Sequence, residues 1–234
     1  MLSCHAIGLQ ALEGVRVKLV RAGPDYTDFL YDCYQNNQFM DLYRLAHNRA
    51  LTKDDIYQRL CTEYKKLPQE LKRIEWVILK IDGSNEIPIG LGALADYQQG
   101  HQRGEFLLGI PEKCYQKTAL SLEASLLIFE FAFQQAKLHK LVSFVYGYNH
   151  LAQKNTLHLG FKQEGILKEH IHTQKGFIDL FQNALLSTDF KNNKRLSSLS
   201  LRLLGRDITL PAALEIKAAS NDLIEILNQK LFRY

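Results

Sequence analysis

One short stretch of this chain has the residue types and the position of an anion-binding site. It is the run Gln116-Lys117-Thr118-Ala119-Leu120-Ser121, which follows a short apolar segment at Glu105 to Ile110 and begins a long apolar segment from about Ala119 to Leu138. The first segment predicts a covered strand and the second predicts a helix buried against a sheet. The first turn of such a helix has free backbone amides and the positive end of the helix dipole. We therefore expect a phosphate site near Gln116 to Leu122.

A second set of spaced residues follows that helix. The apolar strand Leu141 to Tyr146 leads to Asn149 and a short helix, and then to the run Gly160-Phe161-Lys162-Gln163-Glu164-Gly165. This order resembles the GNAT family of acetyl-CoA-dependent N-acetyltransferases. In that family ten residues separate an Asn from Gly-Phe-x-x-Glu-Gly, as they separate Asn149 from Gly160 here. The family's phosphate loop is written R/Q-x-x-G-x-G/A, often with Glu-Ala behind it, and Glu123-Ala124 follow the loop here. The resemblance runs from about Val15 to Phe190 and is strongest to the branch of ribosomal-protein N-terminal and nucleotide-amino-sugar acetyltransferases.

The rest of the chain predicts the other elements of the sheet. Alternation at Val15 to Val20 predicts the first strand, and turn residues predict hairpins at Glu75 to Tyr97 and at Ile166 to Leu186. Helices are predicted from Pro24 to Asn36 and from Thr52 to about Leu67. The count is about seven strands and four helices. The resemblance implies the α+β GNAT fold, a mixed, mostly antiparallel sheet flanked by helices.

The resemblance implies acetyl-CoA as co-substrate and places its contacts on three segments. Backbone groups at the splayed ends of two central strands would hold the carbonyl and the pantetheine arm, here at Leu108-Gly109-Ile110 and at Val145 to Tyr148. Asn149 would contact the cofactor, and its alternative role is to cap the helix that follows. The pyrophosphate loop would be formed by Gln116, Lys117, Thr118, Ala119, Leu120 and Ser121.

The loop departs from the family pattern because Ala119 and Ser121 replace both glycines. The backbone then loses the freedom that lets glycine curl around a pyrophosphate, although the amides are still present. We expect cofactor binding to be weakened or slightly re-routed. The alternative for this loop is that Thr118 simply caps the helix.

Acetyl transfer needs a neutral amine, a polarised carbonyl and a proton source for the leaving thiolate. Glu105 is the predicted base because it begins a central strand, and it is equally well placed to be a surface charge at a strand end. The alternative bases are His101, His150 and His158, since histidine titrates near neutrality. The family's leaving-group Tyr matches Thr156, which is too short to replace it well. Tyr146 or Tyr148, or water, could supply the proton instead.

Composition limits the other classes of function. The chain has 234 residues, 46% of them apolar, and a formal charge of +4, which is compatible with an anionic co-substrate and too weak to argue for nucleic acid. The cysteines have no paired spacing and no His partners at metal distances, so we expect a reduced cytoplasmic protein without a metal site. They are Cys4, Cys33, Cys61 and Cys114. Met1 to Ala6 has no basic region or sustained apolar run, and no later segment predicts a membrane span.

The early helical region is rich in tyrosine, and two interpretations are open. The tyrosines are Tyr26, Tyr31, Tyr34, Tyr43, Tyr57 and Tyr64. They could form an aromatic wall for a sugar or nucleobase, or they could fill the rim of a helix–sheet interface with their hydroxyls in water. With the mildly basic surface, they favour a small-molecule amine, an amino sugar or nucleotide-linked amino sugar, as the acceptor. A protein N-terminus is the alternative acceptor, and a GNAT-fold protein that binds acetyl-CoA without catalysis is the alternative function.

The chain continues past the end of the resemblance. We expect residues 1–190 to form the acetyltransferase domain and residues 191–234 to form a C-terminal helical extension. Lys191 to Leu204 predicts an amphipathic helix, and Pro211 to Phe232 predicts one or two more. We expect their apolar faces to pack on the core or on a second subunit, which would allow a homodimer through the C-terminal helices. The alternative is that they dock an acidic partner such as a carrier protein or nucleic acid.

Overall fold

The fold is described by a computed structural model that covers residues 10–43, 46–116, 118–173 and 176–211. Eight strands form one sheet in these ranges. The strands are β1 Leu12–Glu13, β2 Val17–Arg21, β3 Ile74–Asp82, β4 Asn85–Gln98, β5 Arg103–Gly109, β6 Lys140–Tyr146, β7 Lys162–Thr173 and β8 Gly176–Leu186. The helices are α1 Thr27–Gln35, α2 Asn37–Met40, α3 Lys53–Tyr64, α4 Lys113–Gln116, α5 Leu120–Glu130, α6 His150–His158, α7 Ser187–Lys191 and α8 Lys194–Leu204.

The strand order is β1-β2-β3-β4-β5-β6-β8-β7. Every neighbouring pair is antiparallel except β5 and β6, which are parallel. The predicted α+β class and the mixed, mostly antiparallel sheet are therefore confirmed. The eighth strand is β1, which the sequence did not predict because it has only two residues and no alternation of its own.

The sheet separates two apolar layers. Phe106 of β5 packs with Phe129 of α5, their ring centroids 4.9 Å apart, on the side that we call the α5 face. The next residue, Leu107, is buried on the other side with Leu30 of α1 and Leu60 of α3, and we call this side the α1–α3 face. Because side chains alternate along a strand, each β5 residue can be assigned to one layer.

A buried carboxylate joins α5 to the turn between β1 and β2. Glu123 is fully buried, and its Oε1 accepts hydrogen bonds from the backbone amides of Val15, Arg16 and Val17 at 2.6, 2.7 and 3.2 Å. The Arg16 Nε donates to Glu123 Oε2 at 3.1 Å. A carboxylate that accepts several amide bonds is well compensated for its burial, so this contact holds the edge of the sheet on α5.

One loop prediction and two helix predictions need correction. The loop predicted before α5 contains the short helix α4, and the predicted helix to Leu138 is α5 continued by a π-helical turn at Phe131–Gln135. The helix predicted from Lys191 begins at Lys194 instead, because the Asn193 Oδ1 accepts from the amides of Arg195 and Leu196 and starts a new helix. Such side-chain caps decide where a helix begins.

The described part of the C-terminal region packs on the α5 face of the core. Leu196 and Leu203 of α8 are buried in the same cluster as α5, and Arg206 donates two hydrogen bonds to Glu130, at 2.6 and 2.9 Å. The described residues end at Pro211, so the helices predicted between Pro211 and Phe232 lie outside them. The predicted domain boundary at residue 190 stays a prediction. In the described ranges, no helix combines the length and the apolar character that crossing a membrane requires.

Candidate active site

The two parallel strands separate in the middle of the sheet. β5 and β6 pair only at Arg103–Lys140, Gly104–Leu141 and Glu105–Val142. Beyond these pairs β5 stays with β4 as far as Gly109, and β6 stays with β8 as far as Tyr146. The backbone groups that face the gap on both sides have lost their ladder partners, so they can bind an extended ligand that carries amides. We call this gap the β5–β6 split.

The N-terminus of α5 follows the β5 wall of the split. The N-cap residue is Ala119, and its side chain makes no capping bond. Thr118 was the predicted alternative cap, but its Oγ1 donates to the Tyr115 carbonyl at 2.6 Å and lies 3.4 Å from the Leu120 amide. A contact of that length is a weak hydrogen bond, so the first-turn amides keep their capacity for an anion.

The missing glycines cause no backbone strain. Ala119 has φ −76° and ψ 1°, a conformation that residues other than glycine adopt, and Ser121 lies within the first turn of α5. Only a left-handed conformation or a close backbone contact would require glycine at these positions. The substitutions therefore fit the loop, and the predicted weakening of cofactor binding has no conformational cause at Ala119 or Ser121.

The other predicted loop residues have local roles. The Gln116 Nε2 donates to the carbonyls of Ile110 and Pro111 at 2.9 and 3.3 Å, which fastens the loop to the end of the β5 wall. Lys117 lies outside the described residues. Asn149 is the N-cap of α6, where its Oδ1 accepts from the Ala152 amide at 3.1 Å. This bond uses the side-chain oxygen Oδ1 and leaves the side-chain nitrogen Nδ2 for other partners. A contact between Nδ2 and the cofactor stays a prediction.

The predicted catalytic residues lie on different faces of the sheet. Glu105 is 6% exposed and occupies the last β5–β6 pair, on the α1–α3 face with Leu107. Tyr148 is near that face, since its hydroxyl donates to the carbonyl of Asp41, just after α2, at 2.7 Å. Thr156 is buried on α6, which covers the α5 face. The structure thus places Glu105 at the closed end of the split and Leu108 to Ile110 further along the same strand and just beyond it, whereas Thr156 lies on the other side of the sheet from Glu105.

A pair of buried amides holds α6 at the start of the split. The Gln153 Nε2 donates to Asn183 Oδ1 at 2.8 Å, and the Asn183 Nδ2 donates back to Gln153 Oε1 at 2.9 Å. Asn183 also donates to the carbonyl of Ser143 at 3.2 Å, the first β6 residue beyond the last pair with β5. We call these two residues the amide clamp. Sequence reasoning missed it because Gln and Asn at these positions are typical of a solvated surface.

The clamp yields a stability prediction. Asn183→Leu should lower the free energy of unfolding by about 2–3 kcal/mol, because the buried Gln153 amide would lose both of its hydrogen bonds to Asn183 and keep only the one to Gln163. The double variant with Gln153→Leu should recover part of that loss, since two apolar side chains leave no amide unpaired between them. Urea denaturation of the four proteins in this cycle measures the coupling. Additive losses would contradict a coupled pair.

Two stacked rings cover the end of the β5 wall on the α1–α3 face. Phe39 and Tyr43 stack with centroids 4.9 Å apart. A Cβ atom on Gly109 would lie 2.5 Å from Phe39 Cε2 and 3.0 Å from Tyr43 Cδ2, so glycine is required for this close approach. We call the segment Asn36 to Tyr43 the α2 cover. Its role was missed, because the spacing of Phe39 and Tyr43 by itself indicates only one packed helical face.

The α2 cover is tied to both sides of the split. Tyr148, which stacks on Tyr146 at 5.7 Å, reaches across to the Asp41 carbonyl. The Asp41 carboxylate accepts from the Arg49 Nη2 at 2.6 Å. Burial first, and then the charge on Tyr146, raise the pKa of Tyr148, so its hydroxyl stays protonated near neutral pH.

A buried polar cluster lies under α1 and α3 on the same face. The Tyr34 hydroxyl donates to Glu75 at 3.0 Å, and the Arg59 Nη1 donates to Glu75 Oε2 at 3.2 Å. Burial, followed by the charge of Glu75, raises the pKa of Tyr34 and of Tyr43 well above the usual phenol value. Tyr34 and Tyr43 are therefore buried, neutral donors, unlike the half-exposed Tyr57. Within the described ranges, no three His, Cys, Asp or Glu residues are grouped closely enough to hold a metal ion.

Comparison with known proteins identifies one matching family model and several solved structures with a similar fold. A family model described as acetyltransferase (GNAT) domain matches residues 16–162, which is more than half of the chain. Spermidine N-acetyltransferase from Vibrio cholerae, solved in complex with CoA and spermine, has a TM-score of 0.64 at 20% identity, over 74% of this chain and 97% of that chain. A ribosomal L7/L12 alpha-N-protein acetyltransferase in complex with coenzyme A has a TM-score of 0.65 at 9% identity, over 76% of this chain and 98% of that chain. Among curated proteins, none matches this sequence significantly.

Proposed function

Because this chain belongs to the GNAT acetyltransferase family and is an acetyl-CoA-dependent N-acetyltransferase, we propose that its acceptor is the primary amine of an amino sugar or a nucleotide-linked amino sugar. The observation that carries the proposal is the β5–β6 split, which ends at Glu105 and has aromatic side chains on its α1–α3 face. The half-exposed ring of Tyr148, stacked on Tyr146, is a platform of the kind on which a sugar ring can pack.

Acetyl-CoA fits two features of this site, the unpaired backbone groups of the β5–β6 split and the free amides at the α5 N-terminus. Its pantetheine amides would pair with the walls of the split at Leu108 to Ile110 and along β6, and its pyrophosphate would lie at the α5 N-terminus. The unstrained backbone at Ala119 and the absence of a side-chain cap on α5 support that placement. Asn149, at the start of α6, would make a third contact with acetyl-CoA, after the split and the α5 N-terminus. The co-substrate supplies an acetyl group activated as a thioester.

The chemistry assigned to this chain is proton movement and orientation. The amine nitrogen forms a bond to the acetyl carbon, the bond from that carbon to sulfur breaks, and the amine loses one proton while the thiolate gains one. Glu105 is the proposed acceptor of the amine proton, because its carboxylate lies at the closed end of the split. Tyr148 is the proposed proton donor to the thiolate, and Thr156, which lies on the other side of the sheet from Glu105, is the alternative that the family pattern offers. Burial is the main cause that raises the pKa of Tyr148, so the hydroxyl holds the proton that the thiolate needs.

Binding of acetyl-CoA is the first test. Calorimetric titration of the purified protein should show saturable binding with a Kd in the range of about 1–100 μM, with free CoA as the comparison ligand. No binding at millimolar acetyl-CoA would contradict the placement at α5 and in the split.

The acceptor is tested by release of the CoA thiol with a panel of amines. Glucosamine, a UDP-linked amino sugar, spermidine and a peptide with a free N-terminus would be compared at equal concentrations. We expect the amino sugars to have kcat/KM values at least about tenfold above the others, a margin that one extra hydrogen bond supplies. Two proteins of similar fold are a spermidine N-acetyltransferase and a ribosomal-protein N-acetyltransferase. A higher kcat/KM with spermidine or with the peptide would therefore contradict the proposed acceptor.

A negative charge introduced at the α5 N-terminus should weaken the binding of acetyl-CoA without lowering the stability of the fold. Ser121→Glu should raise the Kd for acetyl-CoA by about tenfold or more, because its carboxylate would repel the pyrophosphate at close range. Stability should not fall, since a carboxylate in the first turn of a helix is favourable. The matched control is Ser198→Glu on the exposed side of α8, which makes the same change of charge far from the split. Equal Kd values for the two variants would contradict the pyrophosphate site.

We also propose a homodimer that uses the C-terminal helices and a reducing cytoplasmic location. Because Leu196 and Leu203 of α8 already pack on the core, the dimer contact is proposed for the helices that the sequence predicts between Pro211 and Phe232. Light scattering on the full chain and on a chain ending at Pro211 tests it. A dimer for both chains, or a monomer for both, would contradict the proposal.

A further inference from the structure

Five buried side-chain donors have no hydrogen-bond partner in the part of the chain that the structure describes: the Tyr43 hydroxyl, Asn48 Nδ2, Trp76 Nε1 and the Nε atoms of Arg49 and Arg59. The two arginines are bonded through their other guanidinium nitrogens, and Trp76 lies on the α5 face against Phe131. Tyr43 and Asn48, which are 3% and 1% exposed, are the two on the α1–α3 layer whose donor group has no bond at all. Buried polar groups are almost always paired in proteins, because an unpaired group loses its water without replacement. A donor that stays unpaired inside a substrate-binding face is therefore a sign of a ligand atom that completes it.

Tyr43 lies on the wall of the split. Its ring packs on Gly109 and stacks on Phe39. Burial, with smaller contributions from the charges of Glu75 and Glu105, raises the pKa of Tyr43, so its hydroxyl keeps the proton. Tyr43 covers Gly109 on the same face of β5 that carries Glu105 and Leu107, so an amine whose nitrogen faces Glu105 would extend along the β5 wall toward Tyr43.

Asn48 lies outside the α2 cover, in a segment that is bonded to it. It lies in the 3-10 helix Ala46–Ala50, and the next residue, Arg49, is bonded to the α1–α2 corner. The Arg49 Nη2 donates to the Asn37 carbonyl at 3.4 Å and to Asp41 at 2.6 Å, and the Gln35 Nε2 donates to the Arg49 carbonyl at 3.3 Å. The buried amide of Asn48 is therefore held on the helical layer that also carries Phe39 and Tyr43.

The chemistry of these groups selects the acceptor. An amide NH₂ group only donates hydrogen bonds, and the Tyr43 hydroxyl keeps its proton, so both need a lone pair from the ligand. An alkylammonium chain without oxygen has no lone pair to offer, whereas a hydroxyl or ring oxygen has. We propose that Tyr43 and Asn48 donate hydrogen bonds to oxygen atoms of the acceptor and make the enzyme select a hydroxylated amine over an amine without oxygen. This inference rests on the proposed acceptor class and names the residues that set it.

The test compares two amines that share a six-membered ring, glucosamine and cyclohexylamine. The proteins are the full-length chain, Tyr43→Phe, Asn48→Leu and the control Tyr57→Phe, whose side chain is 46% exposed. For the unmodified chain we expect kcat/KM to favour glucosamine by about 100-fold or more, because a site built for a polar group rejects the analogue that lacks it. Each of the two site variants should lose about tenfold on glucosamine and should not lose on cyclohexylamine. Tyr57→Phe should match the unmodified chain.

The outcomes separate this inference from the proposed function. Equal loss on the two amines, or no loss on either, would overturn the role of Tyr43 and Asn48 and leave acetyl transfer to small amines standing. Equal rates for the two amines with the unmodified chain would overturn the selectivity itself. Failure to acetylate either amine would overturn the proposed acceptor class together with the inference.

Discussion

Replacing Glu105 by Gln should lower kcat for acetyl transfer by about 10²- to 10⁴-fold, the usual contribution of a positioned general base. Glu105 is buried at the last pair between β5 and β6, where the two strands begin to separate. Gln keeps the size and the hydrogen-bonding shape of the side chain but cannot accept the proton of the attacking amine. Affinity for acetyl-CoA should be unchanged, because the proposed cofactor contacts are backbone groups and the α5 N-terminus.

The measurement is steady-state kinetics across pH, with calorimetric binding of acetyl-CoA on the same preparations. The deficit of Glu105→Gln should shrink as the pH rises, because more of the acceptor then reaches the site as the neutral amine. The matched control is Glu86→Gln, a half-exposed glutamate on β4 that pairs with Lys18. A variant within about threefold of the unmodified kcat would contradict the proposed base, since a positioned base contributes far more. Lost acetyl-CoA binding with a lowered melting temperature would instead indicate a structural carboxylate.

Replacing Glu123 by Ala should lower the free energy of unfolding by about 3–5 kcal/mol, among the larger effects of single substitutions. Its carboxylate accepts from three successive backbone amides, Val15 to Val17, and from the side chain of Arg16. Removing it leaves those donors facing a buried cavity and frees the β1–β2 turn from α5. Gly14 makes this contact possible, because a Cβ there would lie 2.6 Å from Glu123 Oε1.

Chemical denaturation of Glu123→Ala, Glu123→Gln and Glu130→Ala gives the comparison. Glu123→Gln should fall between the unmodified chain and the Ala variant, because the amide keeps one accepting oxygen and adds an unwanted donor. Glu130→Ala removes a partly exposed pair with Arg206 from the same helix and should cost about 1 kcal/mol or less. Similar losses for Glu123→Ala and Glu130→Ala would contradict the special role of the buried carboxylate.

Local signals in the sequence were sufficient to predict most elements of the fold. A helix start is predicted at Thr52, and Thr52 is the N-cap of α3, where it forms a capping box with Asp55. The predicted turns at Asp82 to Asn85 and at Gly176 close hairpins between neighbouring strands. The spacing from Asn149 to Gly160 and Phe161 was sufficient to indicate the family, which the family model confirms. Each of these features depends on residues that are close together in the sequence, within about a dozen positions, so it can be recognised without knowledge of the packing.

The site depends on contacts that no local pattern contains. Gly109 is next to Phe39 and Tyr43 only because β5 is central in the sheet and α2 lies across it, and Tyr148 reaches Asp41 only because β6 turns toward the same face. Glu123, which the sequence marked only as part of a Glu-Ala pair, holds the edge of the sheet. The assignments of Glu105, Tyr148, Thr156 and the loop residues to catalysis and cofactor binding stay predictions.

The sequence by itself therefore determined the order and type of the elements, because helix and strand periodicity is a property of neighbouring residues. Only the tertiary structure decided where β5 and β6 stop pairing and which side chains meet on each face of the split. The physical reason is that strand register and helix packing are set by apolar contacts between distant segments, and a change of one residue in register would move every side chain to the opposite face.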